Sequence, residues 1–239
     1  MAALLRRLAP IALAVAAVTG SPGMLGAQGW RVGSFGGYYQ PTGDLVSGSV
    51  TFPALPDVTG SFTGKSTGGF GFGATIGYEL PSGLGFELGG AYYRSDVEFD
   101  VCATDGVDTE CAGGDEYGTV VPLVGRITYR FSPLTARTQF YGAAGAAWLL
   151  RGGDAWEGDE IETNVFGGSL AIGILHSVAD MLKLRVELGD FLYSSKPFDA
   201  ADLEALFQDE FGEEANATVD SKFKNDFTLT VGFLLHQGK

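Results

Sequence analysis

Between Trp30 and Leu235, apolar residues recur at every second position in eight separate stretches. A period of two is the mark of a strand with one apolar face. The clearest stretch is 70–80, in which Phe70, Phe72, Ala74, Ile76, Tyr78 and Leu80 alternate with Gly71, Gly73, Thr75, Gly77 and Glu79. Pro81-Ser82-Gly83 then turns the chain into Leu84, Phe86, Leu88, Gly90 and Tyr92, opposite Gly85, Glu87, Gly89, Ala91 and Tyr93. The pair predicts a tight hairpin. Residues 121–131, 140–150, 166–174, 182–188 and 227–235 continue the pattern, and 30–40 precedes it. Short turns at Pro81, Pro133 and Ala179 alternate with four long connections.

In hydrocarbon every backbone N–H and C=O must find its partner within the protein, so only helices and closed barrels span a bilayer. Downstream of residue 27 no run approaches the ~18 apolar residues of a spanning helix, the longest apolar and glycine run being 140–150. A membrane span by this part of the chain is therefore a span by strands. The competing arrangement is a soluble exported barrel, lipocalin-like, with its apolar face inward around a small apolar ligand. Periodicity is the same in both, so loop asymmetry and aromatic positions decide. Short turns at one end and long loops at the other are the asymmetry of membrane barrels. Tyr78, Tyr129, Phe131 and Phe140 fall near the short turns, and Tyr39, Tyr92, Trp148 and Tyr193 near the long loops, which predicts two interfacial girdles. The expected fold is all-β: a single eight-stranded antiparallel up-and-down transmembrane β-barrel with long outer loops and short periplasmic turns.

Residues 1–27 read as an export signal outside that fold. Arg6 and Arg7 precede an apolar core, 8–18, and Leu25-Gly26-Ala27 supplies small residues for cleavage, leaving 28–239 as the barrel domain. The formal charge of −14 excludes nucleic acid as an expected partner, because phosphate backbones are bound through Lys and Arg. The 37 glycines sit among aromatic and aliphatic residues, as strand glycines do, and not in low-complexity runs. Cys102 and Cys111, the only cysteines, lie in one polar segment of an exported chain and predict a local disulfide; with no His nearby, a metal site is not expected.

Gly36-Gly37-Tyr38-Tyr39-Gln40-Pro41-Thr42-Gly43-Asp44, the glycine-aromatic hairpin from Gly69 to Tyr93 and the alternating last strand together resemble the small outer-membrane β-barrel family of Gram-negative bacteria, the OmpA-barrel and OmpX-like group. That resemblance implies an outer-membrane location with both termini periplasmic. It also implies contact with outer-membrane lipid and lipopolysaccharide, and delivery by the barrel assembly machinery. Family members commonly finish on an aromatic residue, whereas this chain runs on through His236-Gln237-Gly238-Lys239.

With the apolar face toward lipid, the lumen receives Glu79, Glu87 and Glu187 with Arg126, Arg130, Lys183 and Arg185. An eight-stranded barrel is only wide enough for side chains to fill, so these charges are expected to pair into a plug. Lipid hydrolases and acyltransferases occur on this scaffold, but His176 and His236 both fall at the short-turn end, and the adjacent His176 and Ser177 point to opposite faces. No catalytic residue and no cofactor are therefore expected. Most of the 29 acidic residues fall in the long loops, whose bases are Lys65, Lys196 and Lys222. The expected reading is a solvated acidic surface on a monomer, open to extracellular protein or to loosely recruited divalent cations. In the last loop, Asp199 as N-cap, Phe198 as staple and Leu203, Leu206, Phe207 and Phe211 on one face predict a short helix.

Overall fold

The computed structural model describes residues 29–53, 55–131, 136–156, 164–195, 204, 216–219 and 222–236. The expected signal segment, the turn at 132–135 and, apart from Glu204, the expected loop helix lie outside them. The described strands are β1 (Trp30–Pro41), β2 (Val46–Phe52), β3 (Leu55–Ser66), β4 (Gly69–Glu79), β5 (Leu84–Arg94), β6 (Val97–Thr104), β7 (Thr109–Glu116), β8 (Thr119–Arg130), β9 (Thr138–Gly152), β10 (Asn164–Ala179), β11 (Leu182–Ser195), β12 (Asn216–Val219) and β13 (Lys222–His236).

Eight of them, β1, β4, β5, β8, β9, β10, β11 and β13, pair antiparallel with their neighbours in chain order, and β13 closes on β1. The closing register runs from Arg31 opposite His236 to Pro41 opposite Asp226, so no barrel strand is left with a free edge. Gly83, at φ +85°, makes the Pro81-Ser82-Gly83 turn between β4 and β5, a conformation that a Cβ would penalise.

The outer face of this wall is apolar. Phe70, Phe72, Ile127, Phe166, Ile172 and Phe233 are each at least half exposed, and they belong to a continuous belt of such side chains. A water-soluble monomer does not present apolar surface on this scale. Inside, Glu79, Glu87, Arg126, Arg130, Lys183, Arg185 and Glu187 are all buried. Charge inside and hydrocarbon outside is the arrangement of a membrane barrel, and it rules out the soluble lipocalin-like alternative, whose interior would be apolar.

Two members of the expected long-loop girdle are placed otherwise. Tyr39 and Tyr193 are 1% and 2% exposed and point into the lumen, whereas Tyr92 and Trp148 face outward as girdle residues should. The cause is parity. Lys183, Arg185 and Glu187 are inward, so Phe191 and Tyr193, an even number of residues further along β11, must be inward as well. In β1 the alternation misleads, because Ser34 faces out and Phe35 in.

The long connections are not irregular loops. β12, β2, β3, β6 and β7 form a second, five-stranded sheet in that order, contributed by three different connections. Its base is held by a small apolar core of Leu45, Val97, Ala155 and Trp156, against which Phe99 packs. Trp156 comes from the fourth long connection, in the 3-10 turn Asp154–Trp156.

Candidate functional site in the lumen

The centre of the lumen is occupied by two arginines and two glutamates. Arg126 on β8 donates to Glu87 at 2.6 Å and to Glu187 at 3.0 Å, and Arg185 on β11 donates to Glu87 at 2.8 Å and also to Glu187. Each cation thus touches both anions, and the four side chains bridge β5, β8 and β11 across the interior. Tyr141 joins them, donating to Glu187 at 2.5 Å and accepting from Arg185 Nε at 2.7 Å. Charges removed from water need such reciprocal pairing to offset their lost hydration. Glycine makes the space: a Cβ on Gly173 would lie 2.6 Å from the Tyr141 ring, and one on Gly85 would lie 2.9 Å from an Arg31 guanidinium nitrogen.

A second group lies at the short-turn end. Glu79 accepts from Arg31 at 2.9 Å and from Arg130, while Arg31 reaches Thr128 at 3.1 Å and Lys183 donates to Gln139 at 3.0 Å. The seven lumen charges expected from sequence are therefore divided between two clusters, with Glu87, Arg126, Arg185 and Glu187 in one and Glu79, Arg130 and Lys183 in the other. Sequence reading missed Arg31, because the facing of β1 is not legible from its alternation.

A third lumen group, at the long-loop end, joins Tyr39 and Tyr193, expected in the girdle, to Asp226 and Arg151, which sequence reading did not single out. Asp226, 1% exposed, accepts from the Tyr39 and Tyr193 hydroxyls, the latter at 2.7 Å. Arg151 donates to Tyr193 at 3.1 Å and lies over the Trp156 ring at 4.9 Å, which links the lumen to the base of the outer sheet. Inward parity along β9, β11 and β13 would have found Arg151, Tyr193 and Asp226. Between this group and the central quartet is a cavity of ≈ 30 Å³, lined by Tyr93, Arg126, Ser169, Glu187 and Phe191 among others. That is room enough for water.

Among the described residues, the contacts of His176 and Ser177 are local to the short-turn end. His176 Nδ1 is 2.9 Å from Thr138 Oγ1, and the Ser177 backbone is bonded to Arg137. Above the wall, Cys102 and Cys111 form a disulfide between facing residues of β6 and β7. The carboxylates of that hairpin stand exposed, and among the described residues no three His, Cys, Asp or Glu side chains converge as metal ligands. At the junction, hydrogen bonds from the Arg94 guanidinium hold the Asp96 carboxyl below the usual carboxylate range, with help from the Gly118 N–H.

The family described as outer membrane protein beta-barrel domain matches residues 11–233. No curated protein matches the sequence. Among solved structures, Neisserial surface protein A is similar with a TM-score of 0.50 at 14% identity, over 89% of this chain and 99% of that one. AlkL, an outer membrane protein, gives 0.41 at 14% identity over 87% and 90%. Ail, the attachment invasion locus protein of Yersinia pestis, gives 0.40 at 11% identity over 87% and 100%. At 14% identity the first of these bears on fold alone.

Proposed function

The chain belongs to the outer membrane protein β-barrel domain family, and from that premise we propose that it is a non-catalytic barrel closed to ions by its own lumen charges, presenting its acidic long-loop sheet at the cell surface. The observation that carries the closed lumen is the quartet of Arg126, Glu87, Arg185 and Glu187, in which every charge has an opposite charge on both sides. An open water path would need those pairs to part, and parting them exposes uncompensated charge in a low dielectric.

On this reading residues 1–27 are removed on export, both termini are periplasmic, and the barrel is a monomer placed by the barrel assembly machinery among lipid and lipopolysaccharide. The sheet of β12, β2, β3, β6 and β7 then faces outward. Its acidic hairpin, β6 and β7, is the contact surface for extracellular protein or for divalent cations that bridge it to anionic lipid. The test is conductance of the purified protein in planar bilayers. A closed lumen predicts a baseline without steady current at moderate voltage; long-lived open steps in the wild-type protein would overturn it.

A further inference from the structure

The two charged clusters in the lumen differ in balance. In the central quartet two guanidiniums face two carboxylates. At the short-turn end, Arg31, Arg130 and Lys183 are 5%, 6% and 6% exposed, and among the described residues the carboxylate of Glu79 is paired with the two arginines. Lys183 donates to the neutral amide of Gln139 and has no ion-pair partner among the described residues. Among the described residues, Arg31 Nε is buried without a hydrogen-bond partner, and so is Nδ1 of His236, the residue facing Arg31 across the β1–β13 seam. Burying cations in excess of anions is costly, and so is leaving a buried donor unpaired.

The position of this excess matters as much as its sign. Arg31 is the second residue of β1, Arg130 the last of β8, Lys183 the second of β11 and Glu79 the last of β4. All four stand at the rim of the short-turn mouth, where a solute need not pass the central quartet. We propose that this mouth is a seat for a small oxyanion of the phosphate class, held by Arg31, Arg130 and Lys183 beside Glu79. The guanidinium fork matches the spacing of phosphate oxygens, and the Nε of Arg31 is a donor not yet used. The Lys183 ammonium adds a point charge with donors to spare. Free phosphate and a phospholipid headgroup at the same membrane face present the same chemistry. The seat does not depend on the closed lumen, since it is reached from outside the quartet.

The test titrates inorganic phosphate into ¹⁵N-labelled wild-type protein in a non-ionic detergent at constant ionic strength. The Arg31 Nε–Hε signal, identified by its loss in Arg31→Gln, should shift saturably while those of Arg126 and Arg185 stay in place. Calorimetry should show phosphate affinity falling about tenfold or more in Lys183→Gln, with native folding checked by heat-modifiable gel migration. Repeating the titration in bilayer discs separates the sources. Phosphate binding that is suppressed when phosphatidylglycerol is added to phosphatidylcholine assigns the seat to a headgroup; unchanged binding assigns it to free phosphate. Absence of a saturable Arg31 shift in the wild-type protein, or undiminished affinity in a folded Lys183→Gln, would overturn the proposal.

Discussion

In β4, Phe70 and Phe72 are 78% and 65% exposed while Thr75 and Glu79 are buried; in β6, Val97 is 1% exposed while Glu98 and Asp100 face out. Both strands belong to antiparallel ladders and both alternate with period two. They bury opposite kinds of side chain because their surroundings differ. Lipid accepts the apolar face of β4 and forces its charges inward to find partners. Water accepts the carboxylates of β6 and leaves Val97 to pack with Leu45, Ala155 and Trp156. The edges differ as well. The wall closes on itself, whereas the outer sheet ends in β7, whose eight residues are all exposed and which pairs with β6 alone among the described strands. The change of burial rule along one chain marks where hydrocarbon ends.

The sharpest way to break the comparison is through charge. Glu87→Gln leaves Arg126 and Arg185 short of a partner in the lumen and should cost about 3–5 kcal/mol in urea unfolding. Lys65→Gln removes a half-exposed outer-sheet pair with Asp44, 3.8 Å apart, and should cost less than about 1 kcal/mol. Equal effects would mean that the lumen pairs are solvated like surface ones. Next in size, Ile172→Arg places a cation on the lipid face and should cost about 2–4 kcal/mol if that position lies near the bilayer midplane. Val101→Arg, at an exposed site of the outer sheet, should stay within about 0.5 kcal/mol.

The wall was legible in the sequence because its environment imposes one rule along whole strands. Residues 70–80 and 182–188 show apolar-out and charge-in without exception, so strand positions and most facings followed directly. β1 resisted because Phe35 is inside and Ser34 outside, and with its parity went Arg31 and Tyr39. The outer sheet was read as loop because acidic residues and glycine dominate it. Even so, Val97, Phe99, Val101 and Ala103 alternate with Glu98, Asp100 and Cys102, and Asp105-Gly106 is a hairpin signal, with Gly106 at φ +87°. Its pairing joins segments from three connections, which no local pattern encodes.

The disulfide and the junction give smaller, local effects that separate the two sheets further. Reducing Cys102–Cys111 releases a loop-closure constraint worth about 2.5 kcal/mol on the β6–β7 hairpin. Hydrogen exchange should rise there while the barrel's urea midpoint stays fixed. A shift of that midpoint would show the two sheets to be one cooperative unit. Asp96 supplies the smallest effect. Its carboxyl is held low by Arg94, so its contribution to the junction is complete above the ordinary carboxylate pKa of about 3.9 and is lost as pH falls through the depressed folded value. The Gly118 amide signal should titrate with a midpoint below that of an unpaired aspartate, and Arg94→Gln should return it to the ordinary range.

The opposed burial of the two sheets is tested most directly by nitroxide spin labels placed singly at Phe72→Cys, Ile172→Cys and Val101→Cys, each in a Cys102→Ser/Cys111→Ser background reconstituted in bilayers. Labels at 72 and 172 should relax with oxygen, which concentrates in hydrocarbon, and be shielded from a water-soluble nickel chelate; the label at 101 should show the reverse. Nickel accessibility at 72 and 172 equal to that at 101 would contradict the assignment of the barrel's apolar face to lipid.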